Sequence, residues 1–333
     1  MNEIPQRLPV AAPAADLLAE DDVLATLCKW HQEGLRTALV TLVGVEGAAP
    51  RPIGAQMVVA EDGRYIGYLS GGCLEQAIVL EARDVMDEGR NRLVRYGKGS
   101  RYIDIRLPCG SGLDIFFDCS LGGEQMAAIA GHLSARRRFA IRSTLTGADT
   151  FIESLAEEGA LFPSVREGDL FLRVVPPRMR LLLVGSSPVV AALAALARIT
   201  GIETELGSLD DAARANSRNA GVSFDAEHGQ GCDAIARLDC SSAVVLASHE
   251  HEIEPAIIAR LLQRDCFYIG VLGSRTVHEQ RLRALAAMGI DDASLARLRA
   301  PVGLIQGAKS KATLAVGVLA EMLAEAKARN LVS

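Results

Sequence analysis

From residue 180 onward, short buried-strand runs alternate with helix-length segments, and this alternation constrains the fold more than any other feature of the chain. The runs at 180–184, 203–206, 243–247 and 267–272 are separated or followed by helical patterns at 189–198, 254–264, 276–288 and 311–328. Strands that carry apolar residues on both faces and return through helices form a parallel sheet covered on both sides. The C-terminal half therefore reads as a Rossmann-like domain. Residues 181–197 are uncharged and could pass for a membrane span, but Gly185-Ser186-Ser187-Pro188 breaks the run into a strand and a helix start. No membrane segment is expected.

The N-terminal half has a different pattern. A helix is expected over 23–31 and a β-branched strand over 37–45. A rigid loop follows at 47–54, then a hairpin of 56–60 with 64–69. Apolar positions three and four apart predict a helix over 73–88 with its N-terminus at Gly71-Gly72. Strands are expected at 92–96, 113–117, 139–145 and 170–175, and a helix at 125–135. This half is α+β. Pro176-Pro177 removes two backbone donors and stiffens the chain, so the boundary is placed there, giving domains 1–177 and 178–333.

Composition narrows the function classes. With 333 residues, 49% hydrophobic and 23% charged, the chain can bury two ordinary cores without staples. Its net charge is −6 and its longest basic run is Arg136-Arg137-Arg138, which argues against nucleic acid as a partner. The seven cysteines are odd in number, with no Cys-x-x-Cys pair, so neither a disulfide framework nor a structural zinc site fits. The N-terminus lacks a basic and then apolar leader, and a cytoplasmic protein with reduced thiols is expected.

Several constellations could carry chemistry. In Ser70-Gly71-Gly72-Cys73-Leu74-Glu75 a cysteine stands at a helix start, where backbone N–H groups and the helix dipole favour a thiolate. Such a thiol can serve as a nucleophile, a sulfur carrier or a soft metal ligand. Cys109, followed by Gly110, is a second glycine-embedded cysteine, and Arg51 with Gln56 adds a guanidinium and a neutral hydrogen-bonding group. The plainer alternatives are a small apolar plug for the cysteine and a surface ion pair for Arg51. At Gly185-Ser186-Ser187-Pro188 a dinucleotide fingerprint would have a glycine in place of Ser187 and a glycine or alanine in place of Val190. NAD(P) binding is therefore weakly supported. His249 and His251 follow the strand at 243–247, at the sheet edge where α/β proteins bind ligands, although a helix-capping turn explains them as well. Gly273-Ser274-Arg275 closes another strand and opens a helix, which makes an anion cradle.

Taken together, Glu46-Gly47, Pro50-Arg51-Pro52, Gly54-Ala55, Met57, the 70–75 segment, Pro108-Cys109-Gly110, residues 248–252, residues 268–275 and Pro301-Val302-Gly303-Leu304 resemble the xanthine dehydrogenase accessory protein family, XdhC/CoxI. The resemblance runs from about residue 23 to 323. It implies a cytoplasmic accessory protein, more chaperone than enzyme, that binds molybdenum cofactor (molybdopterin) and delivers it in sulfurated form to a molybdenum hydroxylase such as xanthine dehydrogenase. It gives Cys73 and Cys109 the role of molybdenum or sulfur ligands. A cysteine desulfurase as second partner and a homodimer are further expectations, with the cofactor held at or near the cleft between the two domains. The chain departs from the family at Gly185-Ser186-Ser187-Pro188, near Gly207-Ser208 and at Ile305, all in the Rossmann half. The reading from another class is an NAD(P)-dependent oxidoreductase, or other nucleotide-binding enzyme, using His249 and His251.

Overall fold

A computed structural model describes residues 22–100, 110–156, 163–208, 226–229, 232–247 and 254–332. By internal contacts the chain divides into two compact units. The first runs to Gly131 and includes Arg142–Ile152 and Ser164–Leu172; the second comprises His132–Ile141, Glu153–Pro163 and the chain from Arg173 onward.

In the first unit, α1 (Val23–Gln32) precedes β1 (Thr37–Glu46), β2 (Gln56–Ala60), β3 (Tyr65–Gly67), α2 (Glu75–Glu88), β4 (Arg92–Gly97), β5 (Gly112–Asp118) and α3 (Gly123–Ser134). The five strands form a sheet in the order β3-β2-β1-β5-β4, with every pair antiparallel. The apolar stripe of α2, Ile78, Ala82 and Val85, packs with Val40, Leu42, Met57, Ile115 and Phe117 of the sheet. On Val43 and Phe116 a second small cluster forms with Leu145 and Phe171. β1 is buried along most of its length because it has partners on both faces. α2 begins two residues later than its apolar spacing predicts, since the backbone from Gly71 to Leu74 is a loop whose N–H groups are used by Glu75.

Next come β6 (Phe139–Thr144), β7 (Thr150–Ser154), β8 (Val165–Glu167) and β9 (Leu170–Val175), a four-stranded sheet in the order β7-β6-β9-β8. The sequence reading anticipates β6 and β9 but not β7 and β8. Those two lie at the sheet's edges, are short and half-exposed, and leave the apolar Phe151 and Val165 open to solvent, so they lack the alternation that marks a half-buried strand.

The second unit continues with β10 (Arg180–Val184), α4 (Pro188–Ile199), β11 (Glu203–Ser208), β12 (Ala226–Gly229), α5 (Cys232–Ala236), β13 (Ser242–Leu246), α6 (Glu254–Leu262), β14 (Tyr268–Val271), α7 (Arg275–Ala287), α8 (Asp292–Leu295), β15 (Leu298–Arg299) and α9 (Lys311–Ala328). The sheet order is β12-β11-β10-β13-β14-β15, parallel throughout. Alternate residues of β10 face opposite cores. Leu181 and Leu183 pack with Leu193, Ala197, Val318 and Met322, whereas Leu182 and Val184 pack with Ile258, Leu261 and Leu285. This is the doubly wound arrangement expected of the alternating runs. No helix among the described residues is long and apolar enough to cross a membrane.

Buried charges hold this unit in register. Glu205, 3% exposed, pairs with Arg180 at 3.0 Å and with Arg237 at 3.2 Å. Glu254, also buried, accepts from Arg281 Nη2 at 3.0 and 3.1 Å, and the same nitrogen donates to Leu272 O. Removing one partner of such a pair strands a charge in low dielectric. Arg281→Ala is therefore expected to lower stability by about 3–5 kcal/mol in urea unfolding, while Arg281→Met with Glu254→Leu recovers most of the loss. A double variant no more stable than the single one would show that the pair is not what holds this corner.

Candidate functional site

The loop before α2 is organised by one carboxylate. Glu75 lies buried in the helix's first turn. Its Oε1 accepts from Leu69 N at 3.1 Å and Ser70 N at 2.9 Å. Its Oε2 accepts from Ser70 Oγ at 2.6 Å, Gly72 N at 2.8 Å and Leu74 N at 3.2 Å. Burial alone would raise the pKa of this carboxyl, but the hydrogen bonds from the Ser70 hydroxyl and the backbone N–H groups outweigh it and hold the group below its ordinary value. Its hold on the loop is therefore complete at neutral pH and disappears only as the pH falls below the ordinary carboxylate range. Gly71 and Gly72, at φ +76° and +108°, allow the tight left-handed path this wrapping requires. Ser70, Leu74 and Glu75 are buried while Cys73, between them, is exposed. The N–H groups of Gly72 and Leu74, on either side of Cys73, are taken up by Glu75.

Neighbouring loops adjoin this one. A Cβ on Gly71 would lie 3.8 Å from Pro50 Cβ. The next residue, Arg51, stacks its guanidinium 4.5 Å from the centre of the Tyr68 ring and donates Nη1 to Tyr68 Oη at 3.2 Å, while its buried Nε has no hydrogen-bond partner. On the other side, Ser111 Oγ donates to Ala48 O, and Ser111 Oγ would lie 3.3 Å from a Cβ on Gly47. Gly110, exposed at φ +67°, immediately precedes Ser111. The fold thus gathers Arg51, Gly71, Gly72, Cys73 and Gly110 onto adjoining loops. Cys109 lies outside the described residues. Gln56 is not presented there: it is buried in β2 and donates to Thr41 Oγ1 at 3.3 Å.

Cys28, Cys119, Cys240 and Cys266 are less accessible. Burial raises the thiol pKa of Cys28, Cys119 and Cys240, and pushes that of Cys266 up to about 11. No group of three or more His, Cys, Asp or Glu able to hold a metal ion is found among the described residues.

In the second unit, Gly273, Ser274 and Arg275 are exposed at the start of α7, with Ser274 Oγ accepting from Val277 N at 3.3 Å. At the start of α4, Ser187 Oγ accepts from Val189 N at 3.4 Å, and Pro188 has no N–H to give. Two donors that a pyrophosphate would use are thereby engaged or missing. His249 and His251 lie outside the described residues. Sequence reasoning quoted Glu75 without a role and did not single out Ser111 or Tyr68. An acidic residue in the first turn of a helix, just after two glycines, was the available signal for Glu75.

Comparison with known proteins places this geometry. The chain is 35% identical over 292 residues, covering 87% of itself and 83% of its relative, to the molybdenum cofactor insertion chaperone PaoD of Escherichia coli (strain K12). It belongs to the XdhC and CoxI family. The model of that family matches residues 30–97, which contain Arg51, Cys73 and Glu75, and the XdhC Rossmann domain matches residues 181–322. A probable xanthine dehydrogenase subunit of Bacillus subtilis (strain 168) is 26% identical over 311 residues, covering 86% of this chain and 92% of that one. A crystal structure of a xanthine dehydrogenase from Bacillus halodurans shares the fold, with a TM-score of 0.70 at 21% identity over 93% of this XdhC/CoxI chain and 96% of that one.

The exposure pattern sets an expectation for the thiols. In native protein treated with iodoacetamide at neutral pH, peptide mass spectrometry is expected to find Cys73 alkylated well before Cys28 and Cys266. Equal rates would mean that the 70–74 loop closes over the thiol in solution.

Proposed function

We propose that this chain binds molybdenum cofactor as cargo and delivers it to a molybdenum hydroxylase of the xanthine dehydrogenase type. The observation that carries the reading is the exposed Cys73 thiol, held on a strapped loop that adjoins the Arg51 loop, in a chain that aligns over most of its length with a molybdenum cofactor insertion chaperone. Thiolates are soft donors suited to molybdenum or to its sulfur ligand, and a guanidinium suits the pterin phosphate. Cys73 and Cys109 take the first role and Arg51 the second. Gly71, Gly72 and Gly110 keep side chains out of the way of a bulky ligand. In the second unit, Gly273, Ser274 and Arg275 form an exposed helix start that suits an anion.

In this reading the protein turns over nothing by itself. It works in the cytoplasm as a homodimer and receives sulfur chemistry from a cysteine desulfurase. An NAD(P)-dependent activity draws no support from the α4 start, where Ser187 and Pro188 leave fewer amides for a pyrophosphate than a glycine-rich turn offers.

The test is anaerobic incubation of the purified chain with molybdenum cofactor, gel filtration, and molybdenum and pterin analysis of the protein peak. Wild type is expected to co-elute with both. Cys73→Ala together with Cys109→Ala is expected to lose both and to fail in activating apo-hydroxylase. Undiminished retention and activation by the double variant would overturn the assignment of the cysteines.

A further inference from the structure

We propose that Glu75 is the positioning residue for Cys73: its carboxylate holds the 69–74 loop in the conformation that presents the thiol to the cargo. The inference rests on the reading of Cys73 given above and adds a residue to it.

A helix N-terminus offers unpaired N–H groups, and in a glycine-rich loop such groups commonly bind a phosphate or carboxylate ligand. Here the chain supplies its own carboxylate. Leu69, Ser70, Gly72 and Leu74 each donate a backbone N–H to Glu75, and the Ser70 hydroxyl adds a fifth donor. Ser70 Oγ also accepts from Leu74 N at 2.8 Å, which ties the two ends of the loop to each other as well as to the acid. Cys73 N is not among the groups bound to Glu75, and its side chain is the exposed one. Four of the six residues from Leu69 to Leu74 are thus tethered through a single buried group, and the thiol is held at their crest.

Two consequences follow. A cargo phosphate cannot use the Leu69, Ser70, Gly72 and Leu74 N–H groups without displacing Glu75, and the Arg51 guanidinium, on the loop that adjoins Gly71, offers it another anion contact. A thiol whose loop is already ordered also loses less conformational freedom on ligation, so cargo is held more tightly than by the same cysteine on a slack loop.

Glu75→Gln keeps the shape of the side chain but replaces one acceptor oxygen with an NH2 group. Either Leu69 N and Ser70 N, or Gly72 N and Leu74 N, must then face a donor. Ser70→Ala removes one donor to Glu75 and the acceptor of Leu74 N, a milder change that covers the case in which Glu75→Gln fails to fold. The experiment uses the full chain in wild-type, Glu75→Gln, Ser70→Ala and Cys73→Ala forms. It measures retention of molybdenum cofactor, hydrogen exchange at Gly72 and Leu74, and exchange in the middle of α2, all well below the unfolding midpoint.

The expected result is weaker retention by about tenfold in Glu75→Gln and about threefold in Ser70→Ala, in step with faster exchange at Gly72 and Leu74 and with α2 exchange unchanged. Retention at the wild-type level in Glu75→Gln, alongside its loss in Cys73→Ala, would overturn the role of Glu75 and leave the function standing. Loss accompanied by equally fast exchange throughout α2 would also overturn it, because Glu75 would then be supporting the helix and not the thiol. Wild-type retention in Cys73→Ala would overturn the cysteine assignment itself, and the positioning role with it.

Discussion

A carboxylate taken out of water must be given donors in return, and the chain repeatedly uses this requirement to fix its turns. Glu75 gathers the loop in front of α2. Asp118, buried at the end of β5, accepts from Thr150 Oγ1 at 2.6 Å and from Ser120 N at 2.9 Å. Glu205 joins Arg180 to Arg237, and Glu254 holds Arg281, whose Nη2 also reaches the Leu272 carbonyl at the end of β14. In each case a side chain on one element is the acceptor for donors on others. Hydrophobic burial brings the layers together, but it has no direction. The buried acids decide how the connecting segments run.

This division of labour explains what could be read from the sequence. The parallel sheet was legible because strands buried on both faces must be apolar along their whole length, as Leu181 to Val184 are, with their alternate side chains feeding two cores. The α2 stripe was legible for the same reason at helical spacing. The edge strands β7 and β8 were not, because short half-exposed strands whose open positions include Phe151 and Val165 leave no periodicity to detect. At the candidate site the motif was visible but its internal wiring was not. Cys73 drew attention as a cysteine at a helix start, and the N–H groups there serve Glu75 two residues later. Gln56 looked available beside a glycine loop and is buried against Thr41. Both differences come from one source: a sequence shows which donors and acceptors exist, but only the fold shows which of them are already paired.

The same pairing rule bears on the second unit. A doubly wound sheet places its ligands outside the carboxyl ends of the strands, and the usual device for a dinucleotide is a glycine-rich turn that leaves helix amides unpaired. At α4 the chain does the reverse, since Ser187 caps the helix with its own hydroxyl and Pro188 contributes no amide. A serine-proline start stabilises the helix without a ligand, by about 1 kcal/mol for the cap alone. At α7, Ser274 caps through Val277 N, and the turn around it remains exposed. The architecture is the doubly wound one, while the first turn of α4 is satisfied by the chain's own serine and proline. In the other unit the loop that Glu75 ties in front of α2 carries an exposed thiol. A loop tied by a buried carboxylate has a fixed shape, and in the reading proposed for Cys73 a fixed shape is what a soft donor requires.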